Sequence, residues 1–246
     1  MSIKIVTDST CDLPQSIIDS KEFQTSQRIK HVMAAVRQGL AEGYEGGAGR
    51  LLHLDQQQCQ RVGHVVQFRL RRDRFAQQAL GLGPDNFYLW GHSWGGILAI
   101  EYALAHGDAL KGLIISNMMS SAPAYNAYAD EVLKPEMDPT VLEEVEALEA
   151  AGDYENPRYM ELLVPAHYEK HILRMPFADW PNGVVRAVQH VNPAIYVTMQ
   201  GPSELGLSGT LEDWDRTADL GQIEVPTLLI GATHDTMDPK YLEMMA

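Results

Sequence analysis

The stretch Gly91-His92-Ser93-Trp94-Gly95-Gly96 constrains this chain more than any other. It follows the apolar run "NFYLW" and precedes "ILAIEYALAHG", so a strand enters it and a helix leaves it. Gly-x-Ser-x-Gly in that setting demands a very tight turn that lifts the serine oxygen out of the edge of a sheet. Glycines two residues before and after the serine are needed because a Cβ there would collide with the neighbouring strand and helix. A second buried strand is expected at Leu110–Asn117 ("LKGLIISN") and a third at Val225–Ala232 ("VPTLLIGA"). At 246 residues the chain can hold one large α/β domain, or a core with an inserted subdomain.

A serine hydroxyl is a poor nucleophile at neutral pH and needs a base within hydrogen-bond reach. The turn makes Ser93 a candidate nucleophile. The backbone N–H of Trp94, at the positive end of the following helix, is a candidate donor to a developing oxyanion. An acid that orients the base belongs on a loop after a later strand. Asp235 in "LLIGATHDTMDP" has that placement, and Asp238 is its nearest rival.

Between the second and third strands, residues 120–218 read as mostly helical. Asp138 and Asn156 look like N-caps, each followed by proline at the first helical position, and Gly152 suits a C-terminal stop. Upstream, "IKIVTDSTCDLPQSIID" reads as a short buried strand, a polar turn ending at Pro14 and a helix start. A helix is expected in "SQRIKHVMAAVRQGLAEG" and a weak strand at Val65–Leu70. Residues 20–80 otherwise carry few side chains that could fill a central sheet.

Three segments, "FYLWGHSWGGILAIEYA", "YVTMQGPSELGLSGTLEDWDRTADL" and "VPTLLIGATHDTMDP", resemble the proline iminopeptidase family in sequence and order. The resemblance runs from about residue 80 to residue 246. It implies an α/β-hydrolase core, incomplete at both ends here, with an inserted and mostly helical cap. Residues 1–119 and 219–246 would form the core, with 20–80 atypical, and 120–218 the cap. It further implies a serine aminopeptidase releasing N-terminal residues, typically proline, from short peptides, with Ser93 as nucleophile and Asp235 as the orienting acid. Acidic groups of the cap would hold the substrate's free α-amine; Glu204 in "GPSELG" is the first choice and Glu161 in "YMELL" the second. No cofactor or metal is implied. The first 17 residues or so are similar to the start of the DegV-type fatty-acid-binding family, which leaves a lipid-binding module as a rival. A non-catalytic peptide-binding remnant and a related amide or ester hydrolase are also compatible with the chain.

Two parts of that pattern are not met. The family's base is a histidine in a loop well beyond the acid, and none of the nine histidines follows Asp235. His234 adjoins the acid and points elsewhere; His92 lies inside the elbow. His53, His64, His167, His171 and His190 precede the acid, out of family order. The family's "HGGPG"-type loop is reduced to Gly46-Gly47-Ala48-Gly49. In "LLHLDQQQCQR", Asp55, Gln56 and Cys59 match the family's "YDQ-x-G-C-G" turn, but Gln58 and Gln60 replace its glycines. The sequence therefore predicts little or no peptidase turnover.

Charge narrows the partners. Residues 21–80 hold ten of the nineteen Lys and Arg against five acids, whereas residues 81–246 sit near −17, within a total of −14. That balance argues against a general nucleic-acid partner, since neutralising phosphates takes Lys and Arg. No apolar run reaches the roughly 20 residues of a membrane-spanning helix. The opening "MSIKIVTDST" lacks an apolar signal-peptide core, and Cys11 and Cys59 make no disulfide framework, so a cytoplasmic location is expected. Nothing in the sequence fixes an oligomeric state.

Overall fold

The computed structural model describes the strand Lys4–Val6 and residues 81–246. Four strands form one parallel sheet in the order β1-β2-β3-β4: β1 Lys4–Val6, β2 Phe87–His92, β3 Gly112–Ser116 and β4 Thr227–Ile230. Leu89 of β2 lies between Val6 and Leu113, and Ile115 of β3 lies beside Leu229. The opening strand of the chain thus runs directly alongside the strand that leads into the elbow. The turn, helix and strand expected between residues 7 and 80 lie outside the described residues.

Helix α1, Trp94–His106, leaves the elbow and lies against β2 and β3. It buries Ile97, Ile100, Tyr102 and Ala103 against Phe87, Leu113 and Ile115. Ile100 is fully buried and Leu113 is 1% exposed, each stabilising the fold by roughly 2 kcal/mol. Glu101, on the same helix, takes a bidentate ion pair from Arg216 at 2.6 and 3.1 Å and a hydrogen bond from Trp214 Nε1 at 2.8 Å. These contacts tie α1 to the chain that leads into β4.

The helical insertion follows β3. It contains α2 (Ala122–Tyr128), α3 (Pro139–Ala150), α4 (Pro157–Leu163), α5 (Glu169–His171), α6 (Asn182–Gln189) and α7 (Pro193–Met199), joined by tighter and wider turns. The expected caps are present. Asp138 and Asn156 accept from Thr140 N and Arg158 N at 2.9 and 3.1 Å, with proline next in line. Gly152, at φ +67°, follows α3 in the left-handed conformation that glycine adopts cheaply. The cap has its own cluster, Met137, Val145, Tyr159, Leu162, Leu163 and Leu205, while Tyr125, Ala129 and Leu133 join the main core.

The last strand, β4, departs from expectation. Its apolar composition predicts burial, yet Leu228 and Ile230 of β4 are 55% and 45% exposed. The strand lies at an edge of the described sheet, so apolar composition does not translate into burial there. Beyond it, α8 (Pro239–Met245) packs Leu242 into the core. Among the described residues no helix is long and apolar enough to cross a membrane.

Candidate active site

Ser93 sits at φ +50°, ψ −126°, a conformation that costs a non-glycine residue about 1–3 kcal/mol and needs surrounding structure to hold it. That structure is backbone. Ser93 N–H donates to Ser116 O at 2.9 Å, and Gly96 N–H donates to Ser93 O at 2.7 Å. A Cβ on Gly91 would stand 2.2 Å from Gly95 O and 2.7 Å from Ala99 Cβ; one on Gly96 would stand 2.6 Å from Met118 Cβ. The turn exists because helix and strand approach to distances that only glycine permits. Trp94 opens α1, where backbone N–H groups have no partner within the helix. Its ring packs on the core, and its indole N–H is enclosed without a hydrogen-bond partner.

His92 turns away from this chemistry. Its Nδ1 lies 3.0 Å from Ser116 Oγ, which also accepts from Trp90 Nε1 at 2.9 Å. His190 bonds its own helix at Arg186 O, while His167 and His171 bond backbone carbonyls in the site loops. Among the described residues no hydrogen bond reaches Ser93 Oγ. His53 and His64 lie outside those residues, as do the Gly46–Gly49 and Asp55–Cys59 segments.

Asp235 follows β4 and is 6% exposed. Asn117 Nδ2 donates to its Oδ2, and Met237 N–H donates to Oδ1 at 3.3 Å. Sequence reasoning does not single out Asn117. It stands immediately after β3 at φ +54°, a region asparagine tolerates better than most residues, and its N–H donates to Ile230 O at 2.8 Å. An asparagine directly after an apolar strand is the one signal that could have found it. The rival Asp238 has a different occupation: it caps α8, accepting from Lys240 N at 2.9 Å.

Glu204 is half-buried by area, but its carboxylate lies within a dense shell of phenols. Tyr196 Oη donates to Glu204 Oε1. The Glu204 carbonyl accepts from Tyr125 Oη at 2.7 Å and lies 3.1 Å from His167 Nε2. Desolvation raises the Glu204 pKa, the Tyr196 hydrogen bond pulls it back, and the charge of Asp235 raises it further. Burial, with the Glu204 charge second, pushes Tyr125, Tyr168 and Tyr196 up as well, so all three remain neutral donors. Burial lowers His167 to about 4. Glu204 and Asp235, on different loops, therefore sense each other electrostatically.

Glu161 does not join this group. Its side chain is 65% exposed and lies 4.0 Å from Arg158 on the same helix turn, where water screens the charge. Among the described residues no cluster of His, Cys, Asp and Glu has metal-binding geometry.

Comparison with known proteins gives a consistent picture. The family model described as "Alpha/beta hydrolase family" matches residues 42–246, extending into the Gln- and Arg-rich stretch upstream of residue 80. A proline iminopeptidase of Flavobacterium johnsoniae is 54% identical over 177 residues, covering 70% of this chain and 59% of the relative. One from Elizabethkingia meningoseptica is 52% identical over 179 residues, with the same coverage of 70% and 59%. The chain thus spans about 59% of the length of these curated relatives. Among solved structures, that of VinJ aligns with a TM-score of 0.67 at 28% identity, covering 73% of this chain and 60% of VinJ. The proline iminopeptidase of Mycobacterium smegmatis aligns at 0.61 and 27%, covering 73% and 59%.

Proposed function

This chain belongs to the alpha/beta hydrolase family, and from that premise we propose a serine aminopeptidase of the proline iminopeptidase type that takes short peptides by their free N-terminus. The observation that carries the reading is the state of Glu204. Its carboxylate is desolvated, and among the described residues no Lys, Arg or His forms an ion pair with it; Tyr196 is its hydrogen-bond partner. A buried carboxylate without a cation is costly until one arrives. A substrate α-ammonium group supplies that cation and fixes the peptide by its end, which makes the site an exopeptidase site.

In the proposed reaction Ser93 Oγ bonds to the scissile carbonyl carbon, and Trp94 N–H stabilises the oxygen that takes up the negative charge. A base must remove the serine proton and return it to the departing amine; Asp235, held by Asn117, would orient that base. None of the described histidines is hydrogen-bonded to Ser93, so we expect slow turnover from this chain, limited to what binding and oxyanion stabilisation provide. A cytoplasmic location is part of the proposal, supported by the two isolated cysteines.

Turnover of a proline arylamide by the wild-type chain and by Ser93→Ala tests the chemistry, with binding of free and N-acetylated proline peptides measured in parallel. Weak turnover lost in Ser93→Ala, with binding that needs the free amine, is the expected result. Turnover indifferent to Ser93→Ala would remove the nucleophile, and equal binding of the acetylated peptide would remove the Glu204 anchor. Fast turnover would overturn the expected low rate. Binding with no turnover would favour a peptide-binding remnant, and co-purified fatty acid would favour the lipid-binding rival.

A further inference from the structure

Two histidines four residues apart, His167 in the turn Val164–Tyr168 and His171 in α5, share one face of the cap. Their ring centroids are 5.0 Å apart at an interplanar angle of 36°. Each ring reaches a backbone carbonyl in a different site loop. His167 Nε2 lies 3.1 Å from Glu204 O, and His171 Nδ1 lies 3.2 Å from the carbonyl of His234, the residue before Asp235. The far nitrogen of His171 lies 3.3 Å from Glu136 Oε2. These carbonyl partners are 37 and 63 residues away along the chain, so helix formation alone does not bring them there.

We propose that His167 and His171 are positioning residues, a paired strut that fixes the spacing between the amine anchor Glu204 and the loop carrying Asp235. The inference rests on the amine-anchor reading of Glu204. An aminopeptidase must hold the α-amine and the attacked carbonyl at one separation, and a misplacement of about 1 Å can cost on the order of a hundredfold in rate. The strut spans the two loops that set this separation.

Hydrogen-bond chemistry fixes the protons. A carbonyl only accepts, so His167 Nε2 and His171 Nδ1 must each carry hydrogen. His167 Nδ1 is enclosed without a partner, which makes this fully buried ring the neutral member. His171 has acceptors on both sides, and only the doubly protonated ring satisfies both. The second of these acceptors is the Glu136 carboxylate, 3.3 Å from His171 Nε2. Glu136, Glu169, Lys170, Arg174 and His234 line the same cleft of about 630 Å³ as His171.

The test measures binding of a proline dipeptide by calorimetry on the Ser93→Ala background, with H171A, H171N, H167Q and E204Q added singly. Asparagine places an amide N–H near the position of Nδ1, so H171N keeps the donor to His234 O and loses only Glu136. We expect H171A to weaken binding about tenfold and H171N to recover to within about threefold of the parent. H167Q, which keeps a donor near Nε2, should behave like H171N. Equal losses in H171A and H171N, or no loss in either, would overturn the strut; thermal unfolding of each variant separates loss of fold from loss of position. E204Q examines the anchor separately. If it leaves affinity unchanged, the anchor reading fails, and hydrogen exchange in residues 231–238 still decides the strut. Faster exchange there in H171A but not H171N supports it, and unchanged exchange in H171A refutes it.

Discussion

The elbow at Ser93 and the pocket around Glu204 would act on the same peptide, yet they are held in different ways. The elbow is fixed by backbone. A strand, a helix and glycines at 91 and 96 leave Ser93 a single place to go, with its N–H bonded to β3. The Glu204 pocket is fixed by side chains drawn from α2, the Val164–Tyr168 turn and α7, each contributing a donor or a ring. Sterics make the first rigid and intolerant. Hydrogen bonds and burial hold the second, and the raised pKa of Glu204 makes it sensitive to protonation.

The sharpest break of that comparison is at the elbow. Gly91→Ala drives a Cβ into Gly95 O and should cost roughly 3 kcal/mol or more, or prevent folding, as read by urea unfolding. Gly107→Ala, at the other end of the same helix, meets nothing within 4 Å and has φ −58°, so it should be neutral or stabilising by up to about 1 kcal/mol. Similar losses in both would show that the elbow's intolerance is not steric.

Next in size is a pH effect on the pocket. The folded pKa of His167, about 4, lies below its ordinary 6.5. The unfolded chain therefore binds the extra proton first as pH falls. The contribution of His167 is present above pH 6.5 and is lost as pH falls toward 4, by on the order of 3 kcal/mol. Glu204 runs the other way: its pKa is raised, so its contribution is present below about 4.5 and is lost as pH rises through the folded value. Unfolding curves across this range should show acid sensitivity in the wild type and a shallower loss in His167→Gln. An unchanged acid slope would contradict the buried neutral imidazole.

The smallest effect lies between the two regions. Asn117→Gly keeps the left-handed backbone but removes the donor to buried Asp235, and should cost about 2 kcal/mol. Asn117→Ala should add about 1 kcal/mol of backbone strain. Denaturation of both variants checks the order; an Ala variant as stable as the Gly variant would mean that φ at 117 carries no strain.

Features that depend on neighbours in sequence are legible in the chain alone. Asp138-Pro139 and Asn156-Pro157 cap helices because cap, proline and first turn are contiguous, and the same signature recurs at Asn192 and Asp238. That recurrence also separates Asp238, a cap, from Asp235. Glu204 and Asp235 can be nominated by resemblance, whereas Asn117, Tyr196 and the His167–His171 pair cannot. Their partners lie across folds of the chain, and nothing local marks a tyrosine as a carboxylate donor. The apolar text of β4 predicts burial, but composition does not say which strands lie at the edges of the described sheet.

Gly91, Ser93 and the flanking apolar runs by themselves determined that a strand turns sharply into a helix with a serine at the bend. Local sterics admit few other outcomes for that pattern. Which described groups surround that serine, where the described histidines bond and what holds Glu204 were decided only in the tertiary structure. Those relations depend on distances between segments far apart in the chain, and hydrogen bonds and desolvation act only once folding has set those distances.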